Sequence, residues 1–165
     1  MSAIDIRPFR AEDWPVVRAI YQQGIDTKNA TFEKEAKTWE AWNRTTLPDC
    51  RLVAVQHGKV AGWAALSPVS SRTVYARVAE VSIYVATTQL GRGIGTQLLT
   101  ALIDASEQAG FWTLQAGIFP ENVTSIELHK KCGFRIVGRR EKLGQMDGLW
   151  RDVILMERRS RTVGL

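Results

Sequence analysis

A run of alternating glycines near the middle of the chain has the arrangement of a loop that binds phosphate groups. The loop consists of Gly91, Arg92, Gly93, Ile94, Gly95 and Thr96. It separates an apolar, β-branched stretch at residues 81–85 from an apolar pattern of three- and four-residue spacing at residues 94–103. Strand, glycine loop and helix in this order leave free N–H groups at the positive end of a helix dipole. We therefore expect residues 91–96 to bind a ligand that carries phosphate.

Two common phosphate-binding patterns do not fit these glycines. A nucleotide-hydrolase loop needs Lys and then Ser or Thr after its last glycine, whereas Thr96 and Gln97 follow Gly95. A dinucleotide-binding loop has the spacing G-x-G-x-x-G, and here the third glycine comes one residue too early. A flexible glycine turn without a ligand is the alternative that the loop alone leaves open.

Two side chains have the chemistry to move protons. Glu80 stands just before the apolar stretch, where poor solvation of a carboxylate would raise its pKa towards the range of a general base. The alternative is an edge carboxylate paired with Lys or Arg. His129 has an imidazole that titrates near neutrality, and its alternative is a partly buried helix residue with a structural hydrogen bond. Cys132 lies nearby, but no Cys-His-Asn arrangement can be seen, so a covalent cysteine mechanism is not expected.

The elements that position these groups alternate between strands and helices. We expect a first strand at residues 3–7, a helix from Trp14 that ends or loosens at Gly24, and a second helix capped by Thr38. In the polar segment between the two helices, Phe32 is expected to anchor the loop rather than contact a ligand.

The remaining patterns predict further strands around the glycine loop. A hairpin is expected at residues 51–66, a strand at residues 113–118, and a closing β pair at residues 134–140 and 150–156. Thr124, with Glu127 three residues later, predicts the start of the short helix that carries His129. We expect one domain over residues 1–165, with a frayed basic tail at about 158–165.

Composition excludes several classes of protein. The chain has 45% hydrophobic and 24% charged residues, which is ordinary for a globular domain, and no apolar run approaches the ~20 residues that span a membrane. The net charge of +5 suits a ligand with several phosphates, and its basic residues form no stripe with interleaved aromatics, so no nucleic-acid partner is expected. The two cysteines show no metal or disulfide spacing, so we expect no metal and a reducing, cytoplasmic location.

The glycine loop resembles the acyl-CoA loop of the GNAT acetyltransferase superfamily, whose pattern is Q/R-x-x-G-x-G/A. Gly93 and Gly95 match the pattern, and Leu90 departs from it at the leading Gln or Arg. Asn122 and Ser125, ahead of a Gly-Phe turn at residues 133–134, fit the same superfamily. The segments AEVSIYV, AGIFPEN, LHKKCGF and MDGLWRDV closely resemble the phosphinothricin N-acetyltransferase family, which includes methionine sulfoximine acetyltransferases.

This resemblance covers nearly the whole chain and implies an α/β fold. The sheet would be mixed and mostly antiparallel, with about seven strands flanked by helices and splayed at the CoA site, and the protein would be a homodimer. The resemblance also implies that the loop at residues 91–96 holds the CoA pyrophosphate and that Asn122 contacts the cofactor. It implies that the backbone of Ile83, Tyr84 and Val85 runs beside pantetheine, with an amide near Val85 at the thioester oxygen.

The same resemblance implies catalytic and acceptor-binding roles. Glu80 would be the general base, directly or through a water, and His129 would be the general acid toward the CoA sulfur. Arg72 and Tyr75 lie eight and five residues before Glu80, as in the family, and with Thr73 are expected to bind the acceptor. Arg72 can bind a carboxylate or phosphinate through bidentate hydrogen bonds.

We therefore expect an enzyme that transfers the acetyl group of acetyl-CoA directly to the α-amine of a small amino-acid-like acceptor. Acceptors of the phosphinothricin, methionine sulfoximine or methionine sulfone type fit the resemblance. The alternatives are a GNAT enzyme for another amine (a polyamine, an aminoglycoside or a protein N-terminus) and a non-catalytic acyl-CoA-binding sensor.

Overall fold

A computed structural model describes residues 3–165 of the protein. Its strands are β1 (Asp5–Pro8), β2 (Leu52–Gln56), β3 (Lys59–Pro68), β4 (Val78–Val85), β5 (Thr113–Ile118), β6 (Arg135–Met146) and β7 (Leu149–Arg159). Its α-helices are α1 (Trp14–Asp26), α2 (Trp39–Thr45), α3 (Ile94–Gln108) and α4 (Val123–Lys131). Short 3₁₀ turns occur at Ala11–Asp13, Thr73–Tyr75 and Thr87–Gln89.

All seven strands form one mixed sheet in the order β1-β2-β3-β4-β5-β7-β6. Every neighbouring pair is antiparallel except β4 and β5, which are parallel and connected through α3. This is the mostly antiparallel α/β architecture that the resemblance implies. The parallel pair follows from the strand–loop–helix stretch, because a helical crossover returns the chain to the same edge in the same direction.

The helices cover both faces of the sheet, as the alternation of apolar residues along β3 requires. Trp63 and Ala65 lie in one core with α1 and α2, whereas Ala64 and Leu66 lie in the other core with α3. On the face that α3 covers, Leu98, Leu99 and Leu102 of this helix are fully buried.

The parallel strands separate shortly after they begin to pair. Only three residue pairs join β4 to β5, and the last of them is Glu80 with Gln115. Beyond it, β4 continues to Val85 beside β3, while β5 continues to Ile118 beside β7. The two strands therefore diverge around a gap, and each presents an unpaired backbone edge to it. This is the splayed sheet expected from the resemblance.

Two predicted helix boundaries differ from the structure. α1 runs through Gly24 to Asp26, and Ile25 of this last turn is buried in the core. The glycine makes room for the ring of Tyr84, from which a Cβ at this position would lie 2.5 Å. α4 begins at Val123 rather than at a Thr124 cap, because the Asn122 side chain already accepts the Ser125 N–H at 3.3 Å. Thr38 caps α2 as predicted, accepting the Ala41 N–H at 3.2 Å.

The C-terminal region is longer and better anchored than the sequence indicates. β6 and β7 join through a two-residue turn at Asp147 and Gly148, whose φ angles of 51° and 80° suit a tight hairpin. The tail expected to fray, residues 158–165, begins inside β7. After β7 ends, Ser160 is buried. Ser160 donates from its hydroxyl to Glu107 at 2.6 Å, and the Arg159 guanidinium donates to the carbonyl of Gly164 at 2.6 Å.

Candidate active site

A cavity of about 330 Å³ occupies the gap between β4 and β5. Residues 80–84 line it from β4, residues 116–119 line it from β5 and its extension, and α4 contributes Asn122, Ser125 and His129. Residues 30–32 of the connection between α1 and α2 form the opposite wall, together with Leu143 and Val153. The cavity thus brings the two proton-moving candidates, Glu80 and His129, into one enclosure.

Glu80 lies at the closed end of the gap, where β4 and β5 part. Its carboxylate oxygen would be 3.8 Å from a Cβ on Gly117, so the glycine of β5 leaves room beside it. Within residues 3–165, the Glu80 carboxylate forms neither an ion pair nor a hydrogen bond. The alternative of an edge carboxylate paired with Lys or Arg therefore does not describe this structure, and the side chain remains available to a ligand.

The His129 imidazole is only 4% exposed, and its two nitrogens have different surroundings. Nδ1 lies 2.7 Å from the carbonyl oxygen of Ser125, which can only accept, so Nδ1 carries the proton. Nε2 is buried without a partner within the described part of the chain and therefore carries a lone pair when the ring is neutral. Burial lowers the pKa of His129, and only the bond to Ser125 opposes this shift. The ring is thus a neutral acceptor that must take up a proton before it can donate one from Nε2.

The glycine loop has the geometry of an anion site. Gly93 is the N-cap of α3 at φ 81°, and Gly91 has φ 76°, both in the left-handed region that side chains disfavour. No side chain caps the helix, so the N–H groups of its first turn, from Ile94, are free for a ligand. Gly95 has a different role: it allows α3 to pack closely on α4, because a Cβ at this position would lie 3.2 Å from Leu128. Arg92 is exposed and Thr96 is half-buried in the same loop.

The two ends of the Asn122 side-chain amide are engaged within the protein. Its oxygen caps α4, as described above, and its nitrogen donates to the Asn29 carbonyl oxygen at 3.2 Å. One N–H of the amide nitrogen is left for a ligand. Asn122 therefore joins α4 to the connection between α1 and α2, a role that the sequence did not indicate.

The three residues expected to bind the acceptor lie outside the cavity. Arg72, Thr73 and Tyr75 belong to the connection between β3 and β4, are exposed, and do not line the gap. The Arg72 guanidinium lies 5.4 Å from the centre of the Tyr75 ring, so these two side chains are associated with each other. The cavity lining itself contains no Lys or Arg.

Sequence reasoning missed most of the wall opposite α4. Residues 28–32, here called the wall loop, place Phe32 in the cavity, where its ring packs edge-on against Phe119 at 4.9 Å. The same ring contacts Gly144, where a Cβ would lie 3.0 Å away. Phe32 thus anchors its loop, as expected, and also lines the cavity. The presence of an aromatic residue in a polar loop was the one sequence feature that could have indicated this wall. No sequence feature indicated that Phe119 and Leu143 would line the cavity.

An aromatic stack supports the gap from the α1 face. The Tyr84 ring lies 5.0 Å from that of Trp63 at an angle of 15°, and Tyr21 packs against both. Burial raises the pKa of Tyr21 to about 12 and raises that of Tyr84 still further, so both phenols stay neutral. The Tyr84 side chain therefore forms a rigid, uncharged wall.

Within residues 3–165, no cluster of three or more His, Cys, Asp or Glu side chains could hold a metal ion. Over the same residues, no helix has the length and apolarity needed to cross a membrane.

The sheet opens into a V, and a glycine-capped helix begins near the end of β4. One cavity holds both an unpaired carboxylate and a neutral imidazole. These features define an acyl-CoA-dependent N-acyltransferase. The residues fit such a ligand because the free strand edge can pair with an amide-bearing chain while the helix N-terminus takes its phosphates. The Acetyltransferase (GNAT) family profile matches residues 10–134. The chain belongs to the GNAT acetyltransferase family.

Similar proteins narrow the family further. The chain is 33% identical to the phosphinothricin N-acetyltransferase of Alcaligenes faecalis, over 94% of this chain and 82% of that one. It is 31% identical to the L-methionine sulfoximine/L-methionine sulfone acetyltransferase of Pseudomonas aeruginosa, over 95% and 94%. Among solved structures, the phosphinothricin acetyltransferase from Sinorhizobium meliloti in complex with AcCoA superposes with a TM-score of 0.88, at 27% identity and over 98% and 90%.

Proposed function

We propose that this enzyme transfers the acetyl group of acetyl-CoA to the α-amine of a small amino-acid-like acceptor, of the phosphinothricin, methionine sulfoximine or methionine sulfone type. The observation that carries the proposal is the gap between β4 and β5, which holds an unpaired Glu80 and a neutral His129. The names of the similar proteins support the choice of acceptor. A direct transfer in a ternary complex suits a cavity walled by separate elements on the two faces of the sheet.

In this proposal, the cosubstrate binds from the side of α3 and α4. The free amides of residues 91–96 take the pyrophosphate, and the open edge formed by Ile83, Tyr84 and Val85 pairs with the amides of pantetheine. The remaining N–H of the Asn122 amide is available to the same arm. A main-chain amide near Val85 donates to the thioester oxygen, where negative charge develops during transfer.

The two protons that the amine loses take different routes. Glu80, directly or through a water, accepts the first proton from the ammonium and releases it to solvent. When the amine nitrogen has bonded to the acetyl carbon, Nε2 of His129 accepts the second proton from that nitrogen. The resulting imidazolium then gives this proton to the departing sulfur, which makes His129 the general acid of the reaction. This order agrees with the tautomer, because Nε2 must receive a proton before it donates one.

The acceptor occupies the side of the wall loop in this proposal. The apolar side chains of Phe32, Phe119 and Leu143 suit an aliphatic or sulfur-bearing side chain. Since the cavity offers no cation, the acid group of the acceptor is assigned to Arg72 outside it, with Thr73 and Tyr75 as further hydrogen-bond donors.

The test measures the rate at which free CoA thiol is released from acetyl-CoA in the presence of each amine of a panel. The panel contains methionine sulfoximine, phosphinothricin, methionine sulfone, spermidine, an aminoglycoside and a peptide with a free N-terminus. We expect the three amino-acid analogues to give the highest kcat/KM. Preference for spermidine, the aminoglycoside or the peptide would refute the acceptor class, and CoA binding without turnover of any amine would indicate a sensor.

The variant Glu80→Gln checks the catalytic assignment. It should lower kcat/KM by about 10²–10⁴-fold while leaving CoA affinity unchanged, because a carboxamide cannot accept the proton. Turnover at the wild-type rate in this variant would remove Glu80 from the mechanism.

We also propose that the enzyme is a cytoplasmic homodimer. The β6–β7 hairpin forms one edge of the sheet and exposes Ile136, Val137, Leu149 and Trp150, an apolar surface that a second copy can cover. Both cysteines are free thiols, which suits a reducing compartment. Sedimentation equilibrium tests the assembly: a single species at the monomer mass would refute it.

A further inference from the structure

The wall loop forms one side of the acceptor cavity without belonging to a helix or strand. The connection that contains it runs from the end of α1 to Thr38 and has two halves. The later half is fixed by α1: the Arg18 guanidinium donates to the carbonyl oxygens of Ala36 and Lys37 at 2.9 and 3.0 Å. The cavity-lining half has no side-chain bond of this kind to α1; its backbone is joined to α1 where the Lys28 N–H donates to the Ile25 carbonyl oxygen at 3.0 Å.

Besides this bond and the one from Asn122 at the start of α4, the wall loop is held from β7 by Arg151. Its Nη1 donates to the Lys28 carbonyl oxygen at 2.9 Å, and its Nη2 donates to the side-chain oxygen of Asn29 at 3.1 Å. Nη2 also lies 3.3 Å from the Glu121 carboxylate, which balances the charge. The side chain is only 17% exposed, so these bonds are shielded from water. The guanidinium therefore connects β7, the wall loop and the segment after β5.

The same guanidinium fixes the ring on which the wall loop rests. It stacks over Phe119 at 3.9 Å from the ring centre, and Phe119 is the ring that Phe32 contacts edge-on. Lys28, whose carbonyl Arg151 binds, has a φ of 62°, a conformation that a lysine adopts only when its surroundings impose it. Arg151 thus contributes both to where the wall loop starts and to where its cavity-lining aromatic sits.

We propose that Arg151 is a positioning residue for the acceptor: it holds the wall loop, and through Phe32 it sets the shape of the acceptor cavity. The proposal rests on the function proposed above, because it assigns the wall loop to the acceptor. Arg151 contacts neither residues 81–85 nor the glycine loop, so its influence falls on the acceptor and not on the CoA side of the gap.

Steady-state kinetics of Arg151→Met provide the first test. Methionine keeps a flexible apolar chain like the aliphatic part of arginine but can neither donate a hydrogen bond nor stack as a cation. We expect KM for the preferred acceptor to rise about tenfold to a hundredfold, with a smaller change in kcat, because a displaced wall mainly weakens acceptor binding. Affinity for CoA, measured by calorimetry, should stay at the wild-type value. Arg151→Lys should be intermediate, because an ammonium keeps the charge but lacks the planar fork.

Limited trypsin digestion provides a second test that needs no acceptor. The bond after Lys28 is protected by Arg151, and the bond after Lys37 is protected by Arg18. Arg151→Met should accelerate cleavage after Lys28 and leave cleavage after Lys37 unchanged, whereas Arg18→Met should do the reverse. The matched control is Arg139→Met, which removes an exposed arginine of the same hairpin that pairs with Asp152 at 2.7 Å and should change neither cleavage nor KM.

The combined outcomes separate this proposal from the proposed function. Faster cleavage after Lys28 together with a raised acceptor KM supports it. Unchanged cleavage overturns it even if KM rises, because Arg151 would then act on the acceptor directly. Faster cleavage with an unchanged KM also overturns it, because the loop would not shape the site. If no amine is acetylated by the wild type, the proposed function fails, and with it the acceptor role of Arg151; the digestion still decides whether Arg151 holds the loop.

Discussion

The protonation of His129 should make the stability of the enzyme depend on pH between neutrality and mild acid. Burial lowers the pKa of the ring in the folded protein from its ordinary value of 6.5. As the pH falls below that value, His129 becomes protonated in the unfolded chain but stays neutral in the folded protein. Stability is therefore fully present above about pH 6.5 and declines below it, until the pH reaches the folded pKa.

The size of this effect follows from one proton. Where the unfolded state binds one more proton than the folded state, the free energy of unfolding falls by about 1.4 kcal/mol for each pH unit. His129→Asn removes the titration while its side-chain N–H can still reach the Ser125 carbonyl oxygen. The variant also loses the edge-on contact between His129 and Phe134, whose centres are 5.0 Å apart, and this loss lowers stability by the same amount at every pH.

The measurement is urea unfolding of both proteins at intervals from pH 7.5 to pH 4.5, with the free energy of unfolding extrapolated to water. The difference between wild type and variant should be constant above about pH 6.5 and narrow below it, with a slope of up to about 1.4 kcal/mol per pH unit. His57, the other histidine, is present in both proteins and cancels. Parallel curves over the whole range would refute a neutral, buried His129, and with it the proposed proton transfer through Nε2.

Three further predictions concern other parts of the molecule. Gly93→Val should weaken CoA binding severely while the fold largely persists, since a φ of 81° disfavours valine at the helix cap although no atom obstructs its Cβ; unchanged affinity by calorimetry would contradict the anion site. Arg72→Ala should raise KM strongly for acceptors with an acid group but little for amines without one, and an equal response of both classes would show that Arg72 does not bind the acid group. Asp13→Asn should destabilise the protein by about 1–3 kcal/mol at neutral pH, because the carboxylate accepts two bonds from Arg7 and one from the Arg10 amide. These bonds lower the pKa of Asp13 below its ordinary 3.8, so its contribution is present above that pH and is lost as the pH falls through the folded pKa; a variant as stable as wild type in urea at pH 7 would contradict it.

Features that depend on neighbouring residues could be predicted from the amino-acid sequence. The apolar stretch, the alternating glycines and the helical spacing after them predict β4, the loop and α3, because strand, turn and helix preferences act over a few residues. Thr38 was identified as a cap for the same reason. The quoted motifs identified the family and indicated Glu80 and His129 as proton-moving residues, and the structure brings both into one cavity.

How these parts meet could not be predicted, because it depends on contacts between segments that are distant in the sequence. β4 pairs with β3 and β5 pairs with β7 on the sides away from the gap. The point at which β4 and β5 separate depends on this pairing, which local sequence patterns do not indicate. The proton on Nδ1 of His129 and the unpartnered Nε2 follow from burial and from one carbonyl oxygen. The close packing of Tyr84 on Gly24 of α1 and the attachment of the wall loop by Asn122 and Arg151 involve side chains distant in sequence. Such contacts join segments that the chain separates by tens of residues, so packing decides them and local preference does not.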